Sequence, residues 1–281
     1  MTDFRFSQVD VFSAAPHGGN PLAVVHDADE LTDEQMARFA NWTNLSETAF
    51  LLSPEHEHAD YRVRIFTPQE ELPFAGHPTL GSARAWLEAG GAPRPDGTVV
   101  QECGAGLITV LSDDDGLSFS APPLRRGGEV ESSTLAHARQ ALGLSPGDVQ
   151  GANWVDNGPG WLGLVLADAR KVLALEPEPT LIAQHDLRLG IFGPHEPGRD
   201  ADVEVRAFVP METGMREDPV TGSLQAGFGT WLIRAGLAPE EYTAAQGTAL
   251  GRSGRVRVRS DGQDMWVGGA AEVMITGIVS F

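Results

Sequence analysis

The sequence predicts an α+β protein made of two pseudo-symmetric lobes, each a β-sheet wrapped around one long helix. Three observations carry this. The stretch Val63–Trp86 is echoed by Val205–Trp231: Val63-Arg64, Phe66 and Pro68 fall on Val205-Arg206, Phe208 and Pro210, and after a slip of one residue His77-Pro78 and Gly81-Ser82 fall on Asp218-Pro219 and Gly222-Ser223. The echo sits half a chain away, so a duplicated unit fills the 281 residues. Within each half the hydrophobic period is mostly that of strands, broken by one long helical segment, which is an α+β order rather than alternating βαβ units.

In the first half, Gln8–Ser13 and Pro21–His26 read as strands around the turn-rich Ala14–Asn20. Thr32 with Gln35 has capping-box form, and Met36, Phe39 and Ala40 follow at helical spacing, giving a helix to Asn41. Leu45–Leu52 has the period of a strand, which sets Glu47 among apolar neighbours, and Tyr61–Phe66 alternates as another. Pro78–Ala89, closed by Gly90-Gly91, is the long helix. Val99–Leu111 and Leu117–Ser120 make a hairpin whose turn contains Asp113-Asp114-Asp115. Pro122–Ser133 reads as a linker, giving lobes 1–122 and 133–271, with a last strand, Glu272–Phe281, placed to cross back to the first lobe. The second half repeats the order with Trp161–Leu166, Pro179–Gln184, Val203–Phe208, the helix Pro219–Ala235 and a hairpin at Arg255–Val267.

Composition narrows the function. A net charge of -19 argues against nucleic-acid or anionic-membrane binding, which need a basic footprint. A single cysteine, Cys103, rules out an internal disulfide, a Cys₄ metal site and a two-thiol acid/base pair. With no signal-like N-terminus and no long apolar run, a soluble cytoplasmic protein is expected. Gly158–Gly163 fits G-x-G-x-x-G but leads into a strand where a dinucleotide site needs a helix. His56 and His58 lie in a polar loop, and Arg255, Arg257 and Arg259 on a solvent face.

His77 and Asp218 each precede a proline that opens a long helix, so both read as N-cap positions. Two helix N-termini with Gly76 and Gly222 allowing close backbone approach would make an anion site at the lobe interface, suited to a small carboxylate. The second half offers no carboxylate matching Glu47, so one acid/base group would serve the site.

Gly19-Asn20-Pro21, Asn44-Leu45-Ser46-Glu47-Thr48, Phe66-Thr67-Pro68 through Phe74-Ala75-Gly76-His77-Pro78-Thr79-Leu80-Gly81, and Glu217-Asp218-Pro219-Val220-Thr221-Gly222-Ser223 together resemble the PhzF-like (phenazine biosynthesis) family, in its order and spacing. That resemblance implies a diaminopimelate-epimerase-like fold with the site between lobes, and a cofactor-free, metal-free isomerase that is commonly a homodimer. It implies Glu47 as general acid/base, His77 and Asp218 as catalytic partners, and Asn20, Gly76, Gly222 and Ser223 as substrate contacts. The alternatives are a hydrolase using Ser223, His77 and Asp218, and a non-catalytic binder of small ligands on the same fold.

Overall fold

The computed structural model describes residues 1–113, 116–212 and 214–281. It is the expected α+β protein, in two compact units: Met1–Ser120 with Gly268–Phe281, and Ala121–Val267.

The first unit contains β1 (Asp3–Val11), β2 (Asn20–Val25), α1 (Asp33–Thr43), β3 (Thr48–Leu52), β4 (Tyr61–Phe66), β5 (Glu71–Leu72), α2 (Gly76–Glu88), β6 (Thr98–Cys103), β7 (Gly106–Asp113) and β8 (Gly116–Ser120). The second contains β9 (Arg126–Gly128), α3 (Ser132–Ala141), β10 (Val149–Asp156), β11 (Leu162–Leu166), α4 (Ala169–Leu173), α5 (Pro179–Gln184), β12 (Leu189–Pro194), β13 (Val203–Met211), β14 (Gly214–Asp218), α6 (Gly222–Arg234), β15 (Glu241–Gln246) and β16 (Gly254–Ser260). β17 (Met265–Gly269) follows, and β18 (Ala271–Ser280) then runs antiparallel to β1 from Asp3 to Val11.

The sheets are mixed, not purely antiparallel. In the first unit β1–β2, β3–β4 and β6–β7 are antiparallel, whereas β2–β3 and β4–β6 are parallel. The second unit repeats the pattern: β10–β11, β12–β13 and β15–β16 antiparallel, β11–β12 and β13–β15 parallel. Each parallel pair is joined through helix, because parallel neighbours need a long crossover. Each unit also fastens its second crossover with an aspartate. Asp60 N–H donates to Val100 O at 2.8 Å while its carboxylate accepts from Val100 N–H at 2.6 Å. Asp202 does the same with Thr243, both bonds at 2.8 Å.

α1 begins at the capping box, with both Thr32–Gln35 bonds present, and runs two residues past Asn41 to a left-handed Asn44. Its Met36 and Ala40 pack on Phe50, Leu52 and Phe66. The other long helix of this unit, α2, packs against β1, β2, β3, β4, β6, β7, β8 and β18. Both faces of β3 are therefore covered, and all five of its residues are buried.

Several expected boundaries move. Val99–Leu111 is two strands, split by a turn at Gly104-Ala105 that is held by a bond from Ala105 N–H to Pro73 O. Asp114 and Asp115 of the expected turn lie outside the described residues. The stretch read as a linker carries β9, which pairs with β10 and lays Arg126 over the Trp154 ring at 3.5 Å. β11 begins at Leu162, inside Gly158–Gly163, so a strand stands where a dinucleotide motif requires a helix. Among the described residues no helix is long and apolar enough to cross a membrane.

The helix register differs most from expectation. α2 starts at Gly76, so His77 and Pro78 lie inside its first turn; the N-cap is Ala75. α6 starts at Gly222 with Thr221 as N-cap, and Asp218 ends β14. Neither His77 nor Asp218 is an N-cap. Strand pairing gives the reason: Ile65 and Phe66 face Leu72 and Glu71, and their counterparts Ala207 and Phe208 face Asp218 and Glu217. The hairpin from Phe208 to its partner Glu217 is four residues longer than that from Phe66 to Glu71, so Leu72 corresponds to Asp218 and His77 to Ser223. The Pro219 echo of Pro78 is a coincidence of composition.

Candidate active site

In the first unit Glu47 ends the short connection from α1 to β3. The left-handed Asn44 turns the chain, and the Thr43 and Thr48 hydroxyls bond at 3.0 Å across the connection. This leaves Glu47 one residue ahead of β3, not within a strand. Its Oε2 lies 3.2 Å from His77 Nδ1, with side chains 17% and 4% exposed. Asn20 Nδ2 lies 3.4 Å from the same nitrogen.

Local rules place each of these groups. Gly19 accepts no side chain, since a Cβ there would come within 2.1 Å of Val11 O, and its N–H donates to Asp10 Oδ1 at 3.0 Å. The fully buried Asn20 is thereby fixed at the start of β2. Pro78 is tolerated because a first-turn N–H has no intrahelical acceptor in any case. The Thr79 hydroxyl donates to Ala75 O at 2.9 Å and accepts from Gln101 Nε2 at 3.0 Å, tying the helix start to β6.

One imidazole nitrogen cannot donate and accept at once. Its two contacts are alternatives: in one tautomer Nδ1 accepts from the Asn20 amide, and in the other, or in the charged ring, Nδ1–H faces the Glu47 carboxylate at ion-pair distance. The His77 ring thus stands beside an ionised Glu47 as a potential countercharge, where a proton-shuttling carboxylate would need one.

In the second unit Asp218 Oδ2 accepts from Thr221 Oγ1 at 2.5 Å. Gln246 Nε2 donates to Asp218 O at 3.1 Å and to Thr221 Oγ1 at 2.8 Å, while its Oε1 accepts from Thr221 N–H at 3.0 Å and Gln225 Nε2 at 3.0 Å. Ser223 Oγ accepts from Trp161 Nε1 at 3.0 Å, and Asn157 Nδ2 donates to Ser223 O at 2.9 Å. An indole N–H cannot take a proton, so this contact does not activate Ser223 as a nucleophile. The two copies share a plan: the second residue of the long helix is met from the start of β2 in one and from just ahead of β11 in the other, His77 by Asn20 and Ser223 by Trp161. Trp161, Asn157, Thr221 and Gln246 were not singled out as functional residues from sequence. Their only signal is polarity or aromaticity beside the motif, which core residues share.

A duplicated α+β unit with a carboxylate held by an imidazole at a helix start defines the class. The same fold occurs in a phenazine biosynthesis protein of the PhzF family from Enterococcus faecalis, with a TM-score of 0.80 at 24% identity, covering 100% of both chains. The family model "Phenazine biosynthesis-like protein" matches residues 9–277, and the chain belongs to that family. Its relatives include antisense-enhancing sequence 1 of Schizosaccharomyces pombe, 36% identical over 99% of both chains. Another is trans-2,3-dihydro-3-hydroxyanthranilate isomerase of Pseudomonas aeruginosa, 33% identical over 92% of this chain and 91% of that one. The chain is accordingly an isomerase by class, which sets aside the hydrolase alternative.

Proposed function

We propose that this protein moves a proton on a small, cyclic, amino-acid-like carboxylate, with Glu47 as the general acid/base. The observation that carries the proposal is the Glu47–His77 contact at 3.2 Å. It sets one carboxylate, screened from most solvent, beside an imidazole that can balance its charge. The relative that isomerises trans-2,3-dihydro-3-hydroxyanthranilate supports a ring substrate bearing a carboxylate and an amine. In the reaction Glu47 takes a proton from one ring carbon, the double bond shifts, and Glu47 returns the proton to a second carbon. One C–H bond breaks and one forms, with no net change in protons or electrons. Asn20 orients His77, and Gly76 lets the substrate approach the helix start. Asp218, Gly222 and Ser223 are proposed as further substrate contacts, in line with the sequence resemblance.

The test uses trans-2,3-dihydro-3-hydroxyanthranilate in D₂O, followed by proton NMR. Wild type should convert it, with deuterium on the new C–H carbon in proportion to how far Glu47 exchanges with solvent before it reprotonates the ring. Glu47→Gln should lower kcat by about 10²–10⁴-fold, the usual worth of a general acid/base. Full activity in Glu47→Gln rejects the assignment of Glu47, and no turnover by wild type rejects the ring substrate.

A further inference from the structure

A pocket opens in the first unit at the end remote from Glu47. The three elements that gather Asn20, Glu47 and His77 at one end reach it at the other. β2 starts at Asn20 and is followed by His26, β3 follows Glu47 and ends at Leu51-Leu52, and α2 carries His77 in its first turn and Trp86 and Ala89 at its close. Along α2 the separation from His77 to Ala89 is about 18 Å. The pocket holds about 230 Å³, below the roughly 300–1,000 Å³ that drug-sized ligands occupy. It admits a metabolite of amino-acid size.

Its wall holds polar groups that the fold does not use. His26 is 4% exposed, and its Nε2 shares a hydrogen bond with the Ser7 hydroxyl at 2.9 Å. Its Nδ1 has no partner among the described residues and is not shut off from solvent. A buried ring with an unused nitrogen beside a cavity leaves a hydrogen bond for a ligand to complete. The Trp86 indole N–H also has no partner among the described residues, while its ring is fixed, stacked on Tyr61 at 5.6 Å and backed by Gly91, where a Cβ would come within 2.4 Å of it. Arg5 meets Asp27 through Nη2 at 3.2 Å, and its remaining guanidinium donors are unused among the described residues.

Charge selects among ligands. Asp60 is committed to the frame, accepting from Val100 N–H at 2.6 Å and Arg94 Nη2 at 3.3 Å. Asp29 accepts from Ser53 N–H at 2.9 Å, and a carboxylate has further lone pairs to offer. A simple anion would meet Asp27, Asp29 and Asp60 against one arginine, and a simple cation would meet Arg5 and leave the unused donors unmet. A molecule carrying both charges satisfies both sets, and Leu51, Leu52 and Ala89 give the rest of it an apolar wall.

We propose that this pocket is a second binding site, for an α-amino acid with an apolar side chain. The carboxylate meets Arg5 and His26, the ammonium meets Asp27 and Asp29, and the side chain lies along Leu51, Leu52 and Ala89. This inference stands on the pocket alone and is independent of the proposed reaction.

The experiment is a calorimetric titration of the full chain with L-leucine and L-phenylalanine, and with the decarboxylated and deaminated analogue of each. Wild type should bind at least one of the two amino acids, and its two analogues at least about tenfold more weakly, the usual effect of losing a charge-assisted hydrogen bond. Arg5→Gln should weaken binding by a similar factor, and Ala89→Leu, which fills the pocket, should abolish it. Glu47→Gln should bind as wild type does, which separates this site from the reaction site. Circular dichroism and the melting midpoint establish that each variant is folded. Three results overturn the proposal: no binding of either amino acid, an analogue that binds as tightly as its parent, or binding that survives in folded Arg5→Gln and Ala89→Leu.

Discussion

Replacing Glu217 with glutamine tests how far burial and the lack of a second anion set the strength of an ion pair, because the protein carries the same fork twice. Arg206 meets Glu217 through Nε–Oε1 at 2.9 Å and Nη2–Oε2 at 2.8 Å. Arg64 meets Glu71 through the same atoms at 2.7 and 2.6 Å. Each guanidinium also lies over a phenylalanine two residues on, Phe208 at 4.9 Å and Phe66 at 5.1 Å. The forks differ in exposure: 7% and 8% for Arg206 and Glu217, against 23% and 42% for Arg64 and Glu71. Arg64 has a second anion in Asp33, whereas the other donor contacts of Arg206 are the neutral carbonyls of Val172 and Leu175. Glu217→Gln keeps the shape and strands a buried cation, which costs about 3–5 kcal/mol. Glu71→Gln removes a partly hydrated pair and should cost about 0.2–1 kcal/mol. At roughly 2–4 °C per kcal/mol for a domain of this size, Glu217→Gln should lower Tm by about 6–20 °C. Scanning calorimetry of both variants in one buffer measures the difference, and adding salt should erase the smaller effect. Equal losses in the two variants would refute the reasoning.

Three further outcomes follow from the geometry. Gly19→Ala places a methyl 2.1 Å from Val11 O, so it should destabilise the first unit by a few kcal/mol, roughly the cost of overpacking, and lower activity by displacing Asn20; a variant with wild-type Tm and rate would contradict this. His26 is buried against Ser7 at 2.9 Å, and burial, with Arg5 adding to it, pushes its imidazole below its ordinary value. The fold therefore favours the neutral ring, so this contribution is present above about pH 6.5 and is lost as pH falls through the lowered folded value. His26→Gln should flatten that part of the Tm–pH curve. Trp161→Phe keeps the packing but removes the donor to Ser223 Oγ. If Ser223 contacts substrate, it should raise KM several-fold with little change in Tm, whereas a purely structural role would lower Tm and leave KM alone.

Sequence reading succeeded where short-range chemistry decides the outcome. Thr32 and Gln35 announce α1 because both halves of a capping box lie within four residues, and the alternation of Tyr61–Phe66 fixes β4. It failed where a distant element decides. β5 and β9 are too short to show a period and exist only through the strands they pair with. The helix register is hidden because Gly-Ser and X-Pro recur in both copies at misleading positions, while the longer β13–β14 hairpin is visible only through pairing. Glu47, His77 and Asn20 are brought together by three separate elements, so their proximity was legible only through a family resemblance. The supporting Trp161 and Gln246 resemble ordinary core residues, and only their bonds to Ser223 and Thr221 distinguish them.

The strand that closes the first sheet is made only after the whole second unit. Thr2 and Phe281 exchange backbone hydrogen bonds, each at 3.0 Å, yet the whole second unit lies between them in the chain. On a ribosome the second unit can therefore fold as soon as it emerges, while the first waits with β1 lacking one neighbour. During that interval the exposed flank of β1 is open to capture by another nascent chain. The order of synthesis thus makes the first unit, which carries Glu47 and His77, the step at which maturation can be delayed or diverted, and C-terminal truncation should harm that unit before the one it directly follows.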